Sequence, residues 1–250
     1  MSSTSGSRDL ARSLELLWGT GARPSRGPKP GLTLERIVAA AVGLADAEGL
    51  DAVSMRRLST ELGTGTMSLY RYVPGKAELL DLMLDRVQSE TEPAQPSEGS
   101  VRWQDAVETL ARGHLDLHRR HPWLLKVNQA RTVLGPSVLR GLEATLGPLK
   151  GMGLSDPELI SVIITVQSWV TGIARLELEA TEAARETGLT DSEFWGRQEP
   201  YLIKAMESGQ FPMLAGLTED TFTADFDHFE FGLRRLVEGF EVLVAGRAGK

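Results

Sequence analysis

The chain has no cysteine. That excludes disulfides, thiolate metal sites and cysteine nucleophiles. Long apolar runs are also missing, and none approaches the roughly 18 residues that a membrane-spanning helix needs. The opening stretch MSSTSGSRDLARSLELLW sets Asp9 and Glu15 beside Arg8 and Arg12, with no continuous apolar core, so it does not read as a secretory signal. A cytoplasmic protein with no membrane partner is expected. An overall excess of positive charge is lacking too. The net charge is −7, which argues against a protein that binds nucleic acid with its whole surface. Enzyme motifs fail as well. Gly75-Lys76 is followed by Ala77 and lacks the earlier glycine of a P-loop, Gly63-x-Gly65 follows a helical pattern and not a strand, and no G-x-S-x-G occurs. No catalytic residue, metal or cofactor is therefore expected, and the chain does not read as an enzyme.

What is present is a globular composition, with 41% apolar and 24% charged residues in 250. The charge is unevenly placed. Residues 1–90 carry 11 Lys/Arg against 11 Asp/Glu, whereas residues 91–250 carry 16 against 23 and hold the whole negative excess. Within the neutral part, residues 54–76 have four basic side chains and one acidic. One basic face, not a basic protein, is the pattern that DNA binding through one unit requires.

The stretch Ser54–Lys76, SMRRLSTELGTGTMSLYRYVPGK, reads as two short helices joined by a glycine turn. Ser54 is the N-cap of the first, which stops at Gly63, with Met55, Leu58 and Leu62 inward and Arg56 and Arg57 outward. The second runs from about Thr66 to Val73 and is anchored by Leu69 and Val73. That leaves Thr66, Met67, Ser68, Tyr70, Arg71 and Tyr72 for an exposed side, where hydroxyls, a guanidinium and a methyl-seeking thioether can meet phosphates and base edges. Tyr70 or Tyr72 can alternatively pack on the upstream helix between Thr33 and Gly49. Upstream, Leu34, Ile37, Val38, Ala41, Leu44 and Ala45 recur at the helical period between a Thr33 N-cap and Gly49. Downstream, Lys76 opens a helix to about residue 90 with Leu79, Leu80, Met83, Leu84 and Val87 inward. Residues 9–18 suit a short amphipathic helix with Leu10, Leu14, Leu17 and Trp18 on one stripe. The following GTGARPSRGPKPG holds four glycines and three prolines, so no regular structure is expected there. Its Arg23, Arg26 and Lys29 suit either a solvated linker or an arm laid on DNA.

Residues 33–90, and above all the run GTGTMSLYRYVPGK, resemble the N-terminal domain of the TetR (tetracycline-repressor) family of bacterial transcriptional regulators. The resemblance implies an all-α fold, a homodimer and a double-stranded DNA operator. It also implies DNA contacts from Arg56, Arg57, Thr64, Thr66, Met67, Ser68, Tyr70, Arg71, Tyr72 and Lys76. TEPAQPSEGS at 91–100 reads as a polar connector and domain boundary. The organisation expected is a flexible basic extension over 1–32, a helix-turn-helix domain over 33–90, and a ligand-binding and dimerisation domain over 91–250.

In the last region, helices are expected over about 101–120, 124–132, 136–152, 156–186, 191–208 and 223–245, with GQFPMLAGL as a loop. Capping boxes stand at Ser155–Glu158 and Thr190–Glu193. WQD at Trp103–Asp105, LKVN ending at Asn128, the TG-bearing long helix and FEFGL around Phe231 resemble the tetracycline-repressor subgroup. In that subgroup the long and last helices form the dimer interface. The positions matching its tetracycline–magnesium histidine and nearby threonine are Asn128 and Arg131, so a different small-molecule effector is expected. Its pocket would draw on His114, His118, Asn128, Arg131, Gln167, Trp169, Thr171 and Arg175. His114 and His118, four apart with His121 beyond them, have metal-chelating spacing, although pocket-lining or core roles suit them better. The function expected is a ligand-responsive repressor. Alternatives are a ligand-independent dimeric DNA-binding protein, and a helical carrier or enzyme with an unused DNA-binding domain.

Overall fold

The structure is a computed structural model that describes residues 10–20, 31–91, 101–128, 132–218, 221 and 226–248. Among them every regular element is helical. The helix-turn-helix unit forms as its caps dictate. Helix α1 (Leu10–Trp18) precedes it. Helix α2 (Leu34–Glu48) starts where the Thr33 hydroxyl accepts the Arg36 amide hydrogen at 3.2 Å, and ends at Gly49 with φ +86°. A 3-10 turn, Leu50–Ala52, leads to α3 (Met55–Glu61), capped by Ser54, whose hydroxyl accepts from the Arg57 amide at 3.1 Å. The chain reverses at Gly63, φ +61°. Side chains other than glycine rarely adopt that conformation. Helix α4 (Thr66–Tyr70) follows, and then α5 (Lys76–Gln88).

The second half holds α6 (Trp103–Arg120), a 3-10 turn Pro122–Lys126, α7 (Pro136–Leu149), a second 3-10 turn Lys150–Met152, and α8 (Asp156–Thr187). Then come α9 (Asp191–Glu207), α10 (Pro212–Ala215) and α11 (His228–Ala248). Both capping boxes form. Helix α8 is long and apolar enough to cross a membrane by length and composition. Its inner stripe, Leu159, Val162, Ile163, Val166, Val170 and Ala174, is instead buried in the protein core.

Several boundaries differ from expectation. Among the described residues of 124–132 no α-helix forms. Pro122 begins a 3-10 turn that ends at Lys126, and residues 129–131 lie outside the described residues. GQFPMLAGL contains a one-turn helix that Pro212 starts. The last helix begins at His228, not at 223, because the Asp227 carboxylate accepts the Glu230 amide hydrogen at 2.8 Å and caps it there. Helix α1 forms, but on a different face. Leu10 and Trp18 are exposed, while Ser13 is fully buried and Leu16 and Leu17 pack on the core. A polar contact sets that face, as the Ser13 hydroxyl donates to Asp81 Oδ2 at 2.7 Å. The extension expected to be flexible over 1–32 therefore contains a docked helix.

Two cores result. The larger set unites α2–α5 with Leu117, Trp123 and Leu124 from beyond the 91–100 connector. The other joins α6, α8 and α11 with Leu149 and Met152. Helix α5 is enclosed on most sides. Beside its apolar positions it buries Glu78, Asp81 and Asp85. The Asp85 Oδ1 accepts the amide hydrogens of Ser137 at 3.0 Å and Val138 at 3.1 Å, and so caps α7 from another helix. Gly135 makes room for this, since a Cβ there would lie 2.3 Å from Asp85 Oδ1 and 3.0 Å from Leu17 Cδ2. Gly135→Ala should destabilise the fold by about 1–3 kcal/mol, the usual cost of overpacking. Urea unfolding monitored by circular dichroism measures it, and an unchanged midpoint would show that the α5–α7 junction is loose.

Candidate functional site

Helix α4 is held from below by Leu69 and Val73, both fully buried. Its outer face presents Met67 at 77% and Tyr70 at 44% exposure, with Arg71 beside them and Arg56 exposed on α3. Thr64 and Ser68 are partly exposed, and Lys76 is exposed with its ammonium 3.4 Å from the Leu50 carbonyl. Three other side chains of this expected set are engaged within the chain. Tyr72 is half-buried and donates its hydroxyl to the Leu32 carbonyl at 3.1 Å. Thr66 donates to the Ser59 hydroxyl at 3.1 Å and ties α4 to α3. Arg57 is paired with Glu48 at 2.9 Å and Glu61 at 3.1 Å. The Glu48 hydrogen bond, more than any other contact, holds its guanidinium pKa above the usual arginine value. The structure thus divides the expected residues into an outward group (Arg56, Met67, Tyr70, Arg71, Lys76) and an inward, positioning group. Arg23, Arg26 and Lys29 lie outside the described residues.

The second half encloses two adjoining cavities. One, of about 680 Å³, lies between α6, α7 and α8, with Leu110, Leu142, Thr145, Ile160 and Ile163 on its walls. The other, of about 610 Å³, lies between α6, the Pro122–Lys126 turn and α8, and takes in His118, Thr171 and Arg175. Both are lined by Gln88, His114, Thr132, Ile164 and Gln167. His114 Nε2 lies 3.0 Å from Gln167 Nε2, and His118 Nε2 lies 3.4 Å from the Thr171 hydroxyl. Burial, with some repulsion from His118, pushes the His114 pKa down to about 4. Burial also lowers that of His118. Both rings are therefore neutral at pH 7.

Of the expected pocket residues, His114, His118, Gln167, Thr171 and Arg175 converge. Two do not. Trp169 stacks on Phe229, centroids 5.1 Å apart, because Gly232 leaves room for its ring. Asn128 is exposed and lines neither cavity, because the chain leaves its 3-10 turn two residues earlier. Arg131 lies outside the described residues. The apolar wall residues were not foreseen as such, since their spacing is that of any core-facing stripe. Gln88 was not foreseen either, and it brings the DNA-reading unit's last helix to the cavity. Among the described residues no three metal-ligating side chains converge.

A polar cluster also joins the two halves. His121 is buried, with Nδ1 2.7 Å from Asp46 Oδ1 on α2 and Nε2 3.1 Å from Glu90 Oε2 just beyond α5. Trp123 Nε1 donates to the same Asp46 oxygen at 2.7 Å, and Arg120 to Glu90 at 2.7 Å.

A helix-turn-helix with an outward reading face, braced against a helical domain that holds a cavity, defines a DNA-binding transcriptional regulator. Residues 37–83 match the model of the bacterial regulatory proteins of the tetR family, and residues 95–244 that of the tetracyclin repressor-like C-terminal domain. The chain belongs to the TetR family. It is 61% identical to the HTH-type transcriptional repressor DrrR1 of Streptomyces coeruleorubidus over 99% of this chain and 91% of that one. The crystal structure of the Streptomyces coelicolor TetR family protein ActR with actinorhodin superposes at a TM-score of 0.70 and 36% identity, covering 85% of this chain and 96% of that one. The ActR complex with (S)-DNPA gives 0.68 and 33%, over 86% and 99%.

The neutral His114 makes folding sensitive to acid. Its folded pKa of about 4 lies below the ordinary 6.5. Between these values the unfolded chain binds the extra proton, so stability falls as pH drops from 6.5 towards 4. From pH 7 to pH 5 this group should cost about 2 kcal/mol. Urea titrations of wild type and His114→Gln at both pH values should show that loss shrinking in the variant, and equal losses would contradict the buried neutral ring.

Proposed function

We propose that this protein is a homodimeric, ligand-responsive repressor. It would hold a palindromic DNA operator until a small molecule occupies the cavities beside α6, α7 and α8. The carrying observation is the outward group Met67, Tyr70 and Arg71 on and just after α4, with exposed Arg56 on α3, opposite a face anchored by fully buried Leu69 and Val73. One such helix reads only a few base pairs. Two copies about 34 Å apart read two half-sites. Dimerisation is supported by the apolar side chains that a single chain leaves uncovered on α11, Phe231, Val242 and Leu243, and by Phe194, Trp195, Tyr201 and Ile203 on α9. Residues 33–90 act as the reading unit and 91–250 as the effector and dimerisation region. A cytoplasmic protein that regulates and does not catalyse fits this family.

The effector reading rests on the cavities and on the ligand complexes of ActR, which holds actinorhodin in one structure and (S)-DNPA in another. Binding of effector and of operator oppose each other, and by linkage each weakens the other by the same factor, typically about 5–150-fold.

The reading face is tested by electrophoretic mobility shift on DNA upstream of the protein's own coding sequence. Tyr70→Ala and Arg71→Ala should each weaken binding at least about tenfold, a loss of about 1.4 kcal/mol. Thermal unfolding should barely change, because both side chains are exposed. Tyr72→Phe should do the opposite, costing about 1 kcal/mol of stability and leaving operator affinity intact. If Tyr70→Ala and Arg71→Ala bound as wild type does, α4 would not be the reading helix.

A further inference from the structure

The two cavities meet at one hydrogen bond. His114 and Gln167 line both, with Gln88, Thr132 and Ile164 around them. His114 Nε2 faces the Gln167 amide nitrogen at 3.0 Å. An amide nitrogen donates and does not accept, so Nε2 offers its lone pair and the neutral ring carries its proton on Nδ1. The same bookkeeping fixes its neighbour. The Thr171 hydroxyl uses its single hydrogen on the Gln167 backbone carbonyl at 2.8 Å, so it can only accept from His118 Nε2–H. His118 Nδ1 is then also a bare acceptor, buried without a partner. Each of the two neutral rings thus carries one bare lone pair, that of His114 turned to Gln167. Of the cations on the walls, Arg112 is paired with Glu230 and Arg120 with Glu90, and Arg175 donates to the Leu125 carbonyl.

We propose that the two cavities are lobes of one effector site divided by the His114–Gln167 hydrogen bond, and that the effector is an uncharged, largely apolar molecule whose hydroxyl replaces the Gln167 amide as donor to His114 Nε2. This rests on the cavities being the effector site. A molecule confined to one lobe leaves the dividing bond in place. One that spans both lobes must break it, and it recovers the loss only by donating a hydrogen bond of its own. A carboxylate at this point meets the His114 Nε2 lone pair with no hydrogen to offer it, and is disfavoured against a hydroxyl.

Two measurements on the full-length protein test this. Long-range proton–nitrogen correlation spectra at pH 7 should show His114 protonated at Nδ1 and bare at Nε2. The reverse tautomer or an imidazolium would overturn the proposal. Calorimetry with 1-naphthol and 1-methoxynaphthalene, which differ in the donor hydrogen, should show the naphthol binding about fivefold tighter, the worth of one neutral hydrogen bond. In His114→Phe that preference should vanish. Gln167→Leu, which removes the competing donor and leaves His114 in place, should raise naphthol affinity and keeps the test open if the phenylalanine variant fails to fold. Equal binding of the two probes to wild type sinks the donor requirement alone. Binding of neither at millimolar concentration removes the effector cavity itself, and this inference with it.

Discussion

Two buried carboxylates on α5 fix the architecture. Asp81 and Asp85 are 2% and 8% exposed, and a buried carboxylate without partners costs several kcal/mol. Asp81 takes the Ser13 hydroxyl of α1, and Asp85 takes two amide hydrogens at the start of α7. Helix α1 cannot leave α5 without breaking the Ser13–Asp81 bond, nor α7 without losing its Asp85 cap. Helix α5 in turn follows the reading helix after a short turn and shares a core with it. The cavity wall on α7 is therefore linked to α4 through packed helices and the Asp85 cap.

The second junction works differently. At His121 both ring nitrogens face carboxylate oxygens, one from α2 and one from beyond α5. This cluster pins the far side of the reading unit to the end of α6, where Leu117, Trp123 and Leu124 enter its core. The unit is thus held at two points: by α7 through Asp85, and by α6 through His121. A rigid head with two attachments rotates about one when the other moves, which suits a change in spacing between two half-site readers.

Much of this was legible in the sequence. Capping residues and apolar periodicity placed α2, α3, α8 and α9 to within a residue or two, because Thr33, Ser54, Ser155, Thr190, Gly49 and Gly63 act locally, whereas α4 starts at Thr66 as expected but ends at Tyr70, three residues early. What escaped was set by tertiary partners. No local rule says that Ser13, and not Leu10, faces inward, because the reason is an aspartate 68 positions away. Nor does any local rule say that Asp81 and Asp85 are buried, since their partners lie on α1 and α7. On the reading face, Tyr70 and Tyr72 look alike in sequence. Only the Leu32 carbonyl, 40 positions from Tyr72, separates the exposed one from the braced one. In the second half, Trp169 read as a pocket residue because its helix does line the cavity, yet the absent side chain of Gly232 draws the ring to the other face.

The cavity and the switch follow from one feature, the placing of Gln88. It is the last residue of α5 and lies on the wall of both cavities, so an effector bound there as proposed would touch α5 directly. Coupling then needs no long chain of intermediates. An effector has only to prefer one position of α5, because a ligand that favours neither state shifts nothing however tightly it binds. Shape alone gives a weak preference in walls made of Leu, Ile and Gly. A directional bond at the middle of the site gives a stronger one, because it fixes where the molecule sits relative to α6 and α8, and hence how hard it bears on α5. The neutral histidine and its glutamine provide that direction, and burial, by keeping the ring unprotonated, decides its sign.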